Sequence, residues 1–279
     1  MLRRRHLLPL TAVPALAWSA VDGWAQEAKS ASRTVLVAGT RFARLFEPAS
    51  STSSGHSSGT TSGTTPGTDA RPTGLAVDIL DAILPPAGFT PSYEFYPWLR
   101  AQAMIEHGPA QILVGPYRTR ERELRMRFSR QPFYEDALVF YARQRERELW
   151  RDDFAAVRNL QIGAVQGWVY GDRFEEARRL LNVTVVRDLS TALRMLQLGR
   201  LDLIAANQRN SDPVIQELGL ADAVQLCHPP FARMRGHFAF SNDAAGAGWQ
   251  VVVDAGMQRL RASGELARMA ARRGVALPD

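Results

Sequence analysis

The chain of 279 residues has a single cysteine, Cys227, and a single lysine, Lys29. With one cysteine no disulfide can form within the chain, so covalent cross-links cannot hold the fold together. We expect Cys227 to pack as a small apolar residue at a strand end. The basic residues are otherwise all arginine, a bias to which we attach no functional meaning.

Motifs for catalysis and for metal binding are also scarce. None of the five histidines stands at metal-ligand spacing from another histidine, a cysteine or a glutamate. A phosphate-binding P-loop is absent. His237 is the one histidine that we would examine for catalysis, and a packed core histidine is the interpretation that we favour. The sequence therefore predicts no cofactor, no metal and no catalytic residue.

Long apolar runs are confined to the start of the chain. Arginines at residues 3–5 precede an apolar run, residues 7–21, and small residues follow at Gly23 and Ala25. This pattern predicts a secretory signal peptide in residues 1–25, because the run is shorter than the ~20 residues of a spanning helix. No cysteine follows for lipid attachment. We expect export to the periplasm as a soluble protein without a lipid anchor.

The charge of the chain would suit a nucleic-acid-binding protein, with a formal value of +6 and a pI of about 10.1. Removing residues 1–25 takes away three arginines and one aspartate, so the charge falls to +4. Export and a modest charge argue against nucleic acid as a partner. The remaining length and the 46% hydrophobic content suit a globular protein of two lobes.

Apolar patterning alternates strands and helices twice along the chain. Predicted strands are residues 34–38, 92–96, 111–114, 160–165, 183–186 and 201–206. Predicted helices are residues 75–84, 98–106, 172–181 and 190–198, the last capped by Ser190, and a polar loop follows residue 206. Such βαβαβ order is typical of open α/β sheets, which bind ligands beyond the carboxyl ends of their strands.

The lobe boundaries follow from the crossing strands and the last two helices. Residues 136–142 and 234–241 are predicted crossing strands, and two amphipathic helices, about 245–262 and 264–273, end the chain. We place the first lobe at 26–141, the second at 142–238, and a return to the first lobe at 239–279.

Residues 49–72 are dominated by serine, threonine and glycine. This composition cannot bury enough apolar surface to offset the entropy of ordering, so we expect a flexible surface insertion in the first lobe. A lid over a binding site is the less favoured alternative.

The block from Gly115 to Arg122 follows a predicted buried strand. A Gly-Pro break at its start is followed by Thr119 and, three residues on, Arg122. Free backbone N–H groups, a hydroxyl and a guanidinium fork can converge there on one carboxylate. Taken by itself, the block fits a helix start with a solvated arginine at least as well as an anion-binding site at a strand end.

Four spaced motifs make residues 34–273 similar to the bacterial extracellular solute-binding proteins of family 3, the polar amino-acid receptors of ABC transporters. The motifs are a Val77-Asp78 helix, the Thr119/Arg122 to Tyr134 block, Ile162-Gly163-x-x-x-Gly167 and Leu198-Gly199-Arg200-x-Asp202. The resemblance implies a two-lobed periplasmic-binding-protein fold of type II-like arrangement. Each lobe would be an open α/β sheet, joined to the other by hinge crossings. Asp78 is then a structural residue at a helix start.

The resemblance also implies a ligand site between the lobes. Arg122 would grip a ligand carboxylate, helped by Thr119, Tyr117 and Gly115. On the second lobe the site would include Gly167, Trp168 and Asn207, and aromatic walls would come from Phe42 and Trp98, although each of these two is more simply explained as core.

Two positions depart from the family pattern. The turn of the second lobe has Gly167-Trp168-Val169 in place of a Gly-Thr-Thr-like sequence, and Asn207 stands where the family has an acidic residue for the ligand's ammonium. An amide offers an acceptor without a charge, so it holds an ammonium less strongly than a carboxylate does. The ligand would then be an organic acid, or an amino acid held through other groups.

We therefore expect a monomeric periplasmic receptor for a small carboxylate-bearing solute, an amino acid or an organic acid, that serves the membrane permease of an ABC importer. Two alternatives stay open. The same scaffold supports cleft enzymes of the cyclohexadienyl or arogenate dehydratase kind, and it supports ligand sensors for a membrane signalling partner.

Overall fold

The structure is a computed structural model that describes residues 33–48 and 71–278. The predicted signal peptide, residues 1–25, and residues 49–70 of the predicted insertion lie outside the described residues.

Ten strands and eight helices are present in the described part of the chain. The strands are β1 (Arg33–Gly39), β2 (Phe89–Phe95), β3 (Ile112–Tyr117), β4 (Met126–Phe128), β5 (Tyr134–Arg143), β6 (Gln161–Val165), β7 (Asn182–Val186), β8 (Leu203–Asn207), β9 (Val224–Leu226) and β10 (Ala232–Ser241). The helices are α1 (Leu75–Ile83), α2 (Trp98–Glu106), α3 (Arg120–Glu123), α4 (Asp172–Ala177), α5 (Leu189–Gln197), α6 (Gln208–Glu217), α7 (Ala244–Ala262) and α8 (Glu265–Arg273).

The strands form one continuous sheet with two parallel halves joined by an antiparallel centre. Its order is β2-β1-β3-β10-β5-β8-β6-β7, with β4 added beside β10 and β9 beside β5. Pairing is parallel among β1, β2 and β3 and again among β6, β7 and β8, whereas β5 and β10 run antiparallel to each other and to their neighbours. The predicted two-lobed α/β fold with hinge crossings is confirmed, and β5 and β10 are the crossings.

The first lobe consists of β1–β4 with α1–α3, and α7 and α8 pack back on it. Apolar residues at helical spacing along α1, among them Ile79, Leu80 and Ile83, are buried in the core that also holds Val253 and Met257 of α7. The second lobe consists of β6–β9 with α4–α6. Its core is partly separate and is built around the buried leucines of α5.

Asp78 fixes the last helix to the first one. Its two carboxylate oxygens each accept a 2.7 Å hydrogen bond from the Arg273 guanidinium, so the pair joins α1 to the end of α8. The structural interpretation of Asp78 agrees with this geometry.

Cys227 is fully buried directly after β9, as predicted, and burial raises the pKa of its thiol to about 11. A thiol in this setting stays protonated at neutral pH and is a poor nucleophile.

Several local predictions were wrong. The cap of α5 is Asp188, whose carboxylate accepts a 2.7 Å hydrogen bond from the Thr191 amide, so Ser190 lies inside the helix. The Gly115-Pro116 break does not end the strand, because β3 continues to Tyr117. The segment after β8 is not a loop but helix α6, whose polar residues and internal proline, Pro213, give it little helical signal in the sequence.

Two short strands, β4 and β9, were not predicted at all. Each has three residues, which is too short for alternation to be recognised, and each forms by adding to an existing crossing strand.

In residues 33–48 and 71–278, no helix has both the length and the apolar character required to cross a membrane.

The two ends of the predicted insertion are held together. The backbones of Glu47 and Thr73 exchange two hydrogen bonds, of 2.8 and 2.9 Å. An ion pair nearby joins Arg71 to Asp81, and most of the arginine side chain is exposed. Exposed ion pairs contribute little to stability. The Glu47–Thr73 hydrogen bonds thus join the two ends of the predicted insertion, whatever the length of the insertion.

We predict that replacing residues 49–72 with a short Gly/Ser linker leaves the melting temperature and ligand affinity nearly unchanged, because loop length changes closure entropy only slowly. Thermal melting and titration calorimetry of the two proteins check this. A large loss of affinity at unchanged melting temperature would instead identify the insertion as a working lid.

Candidate functional site

The end of β3 and the start of α3 together turn one arginine inward. Gly115 has φ of +83°, a conformation that favours glycine, and its carbonyl accepts a 2.6 Å hydrogen bond from the Tyr134 hydroxyl. Thr119 is the N-cap of α3, and its hydroxyl accepts from the Arg122 amide at 3.3 Å. Arg118 and Arg120 are exposed, whereas Arg122 is only 4% exposed.

The Arg122 guanidinium is buried without an acidic partner. Nη1 donates to the Tyr117 carbonyl at 3.1 Å and Nη2 to the Gly167 carbonyl at 3.2 Å, while the group lies 5.5 Å from the ring centre of Trp98. No carboxylate of the described residues forms an ion pair with it. Burial lowers its pKa to about 10, which leaves it charged at neutral pH.

A small cavity of about 30 Å³ lies beside Arg122, between the lobes. This volume exceeds the space that a single water needs. The lining consists of Phe42, Trp98, Gly115, Tyr117, Arg122, Tyr134, Leu138, Trp168, Val169, Tyr170 and Asn207.

The structure brings most of the predicted ligand-binding residues together on this lining. Thr119 and Gly167 are not on it. Thr119 acts through the cap of α3, and Gly167 through its carbonyl, which accepts from Arg122 and, at 3.1 Å, from Nε1 of Trp98. Phe42 and Trp98 form an edge-to-face pair with ring centres 5.4 Å apart.

Four lining residues were missed, namely Tyr134, Leu138, Val169 and Tyr170. Tyr134 and Leu138 lie on crossing strand β5, where alternation marks them as buried without showing that they face a cavity. Tyr170 is fixed by its hydroxyl, which accepts from the Val165 amide at 2.7 Å.

Asn207 ends β8 and is the N-cap of α6. Its side-chain oxygen accepts a 3.0 Å hydrogen bond from the Asn210 amide. One lone pair of that oxygen is therefore engaged at the start of α6, and its role toward a ligand stays a prediction. Asn207 lies on the lining of the cavity, and no partner is found for its two side-chain N–H donors among the described hydrogen bonds.

A second buried guanidinium lies behind the lining, and it does have an acidic partner. Arg209 of α6 donates from Nε and Nη2 to the two oxygens of Asp136, each at 2.8 Å, and Tyr117 donates its hydroxyl to Asp136 at 2.6 Å. Asp136 is buried on β5. Sequence reasoning missed this pair, because 73 residues separate its members and neither belongs to a motif.

Arg209 also joins the two lobes. Its Nη1 donates at 2.6 Å to the Ala43 carbonyl, which belongs to the loop after β1. Beside it, the Ala43 amide donates to Asn210 at 3.1 Å, and Arg41 pairs with Glu217 at 2.8 Å. With the contacts at the Gly167 carbonyl on the far side of the cavity, these bonds hold the lobes in a closed arrangement.

His237 is a packed histidine, as favoured from the sequence. It lies on β10, its Nδ1 is 2.9 Å from the Ser129 carbonyl, and its ring meets the edge of Phe128. Burial lowers its pKa to about 4, so it is neutral at pH 7, and it is not on the lining of the cavity. Among the described residues no cluster of three or more histidine, cysteine, aspartate or glutamate side chains could hold a metal ion.

Comparison with protein families gives one match. The model for bacterial extracellular solute-binding proteins, family 3, matches residues 62–273. A comparison with curated proteins gives no match.

Comparison with solved structures shows the same fold at low sequence identity. A histidine kinase sensor domain with similarity to periplasmic binding proteins has a TM-score of 0.70 and 18% identity, and the alignment covers 88% of this chain and 99% of that one. The substrate-binding protein of an amino acid ABC transporter has a TM-score of 0.63 at 16% identity, with coverage of 86% and 98%. An amino acid ABC transporter substrate-binding protein from Streptococcus pneumoniae bound to L-arginine has a TM-score of 0.66 at 15% identity, with coverage of 88% and 97%.

We predict that Arg122→Ala weakens the binding of a carboxylate ligand by ~2–5 kcal/mol, because the ligand carboxylate would lose its buried guanidinium partner. Arg120→Ala is the matched control, since Arg120 lies two residues away on the same short helix and is exposed. Titration calorimetry of both variants measures the difference. Equal losses at the two positions, or none for Arg122→Ala, would contradict the assignment.

Proposed function

The chain belongs to family 3 of the bacterial extracellular solute-binding proteins, and we propose that it is a periplasmic receptor for a small carboxylate-bearing solute. The observation that carries this proposal is the Arg122 guanidinium, which is buried between the lobes and is not paired with any described carboxylate. A buried charge is costly unless it is paired. A ligand carboxylate would supply the missing partner.

The geometry of Arg122 suits a carboxylate. A guanidinium presents five N–H donors in a planar fork, of which two are used by the carbonyls of Tyr117 and Gly167. Those two bonds and the face of Trp98 fix the orientation of the fork. The remaining donors are free to form the parallel bonds that a carboxylate accepts.

Ligand entry would require the lobes to separate. The volume of this cavity, about 30 Å³, is far below the few hundred Å³ that is usual for ligand pockets. Strands β5 and β10 are the only two connections in the described sheet between its parallel halves, so a hinge there would open the cleft. Opening would break the contacts at the Gly167 and Ala43 carbonyls.

We propose that the receptor serves an ABC importer and that its partner is the membrane permease of that importer. Residues 1–25 would act as the signal peptide for export, and the protein would be a monomer. Similarity to substrate-binding proteins of amino acid ABC transporters supports this role. Similarity to a histidine kinase sensor domain favours a second candidate, a ligand sensor for a signalling partner. Neighbouring genes for a permease and an ATPase would distinguish the two.

A dehydratase-like enzyme has less support. General acid–base catalysis needs a titratable group within reach of the substrate. The described lining of the cavity contains no carboxylate and no histidine, and its tyrosines have pKa values raised by burial.

Thermal-shift screening of the mature protein against amino acids, organic acids and polyamines tests the proposal. We expect a carboxylate-bearing compound to stabilise the fold by ~2.7 kcal/mol at 100 times its dissociation constant. The compound should be recovered unchanged after incubation, as a receptor requires. Stabilisation by polyamines alone, or conversion of the compound, would contradict the proposal.

A further inference from the structure

We propose that the site selects an anion that carries no ammonium group, and that Asn207 and Arg209 are the residues that determine this choice. The inference rests on the proposed function, because it takes the cavity beside Arg122 as the ligand site. It is carried by the absence of a carboxylate from the described lining of the cavity and by the hydrogen bonds that acceptors beside Arg122 already receive.

The cavity has no carboxylate to offer to a cation. Its lining, in the part of the chain that the structure describes, consists of aromatic and aliphatic side chains, one glycine, one amide and one guanidinium. An ammonium ion has three donors and no acceptor, and its removal from water is costly unless acceptors replace the water. A net positive site without a carboxylate therefore disfavours it.

The backbone acceptors around the cavity are already engaged. The Gly115 carbonyl accepts from the Tyr134 hydroxyl, and the Tyr117 carbonyl accepts from Arg122. The Gly167 carbonyl accepts two hydrogen bonds, from Arg122 and from Trp98. The lone pairs of these three carbonyls are thus partly or fully committed to donors of the protein itself.

The nearest buried carboxylate, that of Asp136, has its own cation. Both of its oxygens receive hydrogen bonds from Arg209, and one also receives the hydroxyl of Tyr117, which is a lining residue. The side chain of Asp136 is 1% exposed and that of Arg209 is 10% exposed, so the pair is shielded from solvent. Arg209 thereby removes the negative charge that would otherwise attract a cationic group to this side of the cavity.

Asn207 adds donors where a cation would need acceptors. Its oxygen is fixed by the Asn210 amide, which determines the orientation of the whole side-chain amide. The N–H₂ group of Asn207 and the hydroxyl proton of Tyr170, whose oxygen accepts from Val165, are both available to a ligand oxygen. Donors on both lobes and one unpaired positive charge together fit an acid, and they do not fit a zwitterion.

The direct test is titration calorimetry of the mature protein with matched compounds. Suitable sets are 3-phenylpropanoate, phenylalanine and phenethylamine, and glutarate, glutamate and 4-aminobutanoate. Within a set that binds, we expect the acid without an amino group to bind at least about tenfold more tightly than its amino acid, and compounds without a free carboxylate not to bind. Tighter binding of the amino acid would overturn the inference.

Asn207→Asp tests the assigned residue with little risk to folding, because aspartate also caps helices well. The variant places a negative charge on the lining, so the preference should move toward the amino acid by about tenfold or more. An unchanged preference would overturn the role of Asn207.

Arg209→Gln leaves the Asp136 carboxylate without its cation and should also move the preference toward the amino acid. The double variant Asp136→Asn/Arg209→Gln removes both charges and should restore the preference for the acid. If Arg209→Gln does not fold, the shift in preference measured for Asn207→Asp decides whether the inference holds.

The failures of the two proposals differ. Binding of amino acids that is lost in Arg122→Ala would retain the receptor function and overturn the selection of an acid. Absence of binding for every carboxylate that is tried would overturn the receptor function, and the inference with it.

Discussion

The guanidinium of Arg122 is buried where the two lobes meet, and no carboxylate of the described residues pairs with it. The rest of the site depends on how this positive charge is compensated. Burying an ion costs several kcal/mol even after the protein relaxes. The Tyr117 and Gly167 carbonyls and the face of Trp98 orient the group and offset part of that cost, but they do not neutralise it. An anion between the lobes is the partner that would complete the balance, and its arrival would favour the closed arrangement that buries it.

Arg209 is a second buried guanidinium, and unlike Arg122 it has a carboxylate partner. It is neutralised by Asp136 on a crossing strand and at the same time donates to Ala43 on the first lobe. Burial lowers the pKa of Arg209, but the Asp136 carboxylate together with Tyr134 and Tyr117 outweighs it, so the pKa is raised. Arg209 thus joins parts of the protein to one another, whereas Arg122 in our proposal keeps donors for a ligand.

The sequence predicted the parts of the molecule that local pattern determines. Apolar periodicity located α1, α2 and the parallel strands. The Thr119-to-Arg122 spacing together with the family resemblance singled out Arg122, which the cap at Thr119 turns inward. What local pattern could not show is pairing at long range. The Asp136–Arg209 ion pair has no motif, and the orientation of the Asn207 amide depends on the start of α6, which polar composition and Pro213 concealed.

The most direct measurement is a crystal structure of the mature protein with a bound acid found by screening. The account predicts a carboxylate between the lobes with both oxygens at about 2.7–2.9 Å from nitrogens of Arg122, the distance range of charge-assisted hydrogen bonds. It also predicts that the Asp136–Arg209 pair stays intact. A ligand bound elsewhere, or one whose carboxylate faces away from Arg122, would contradict the account.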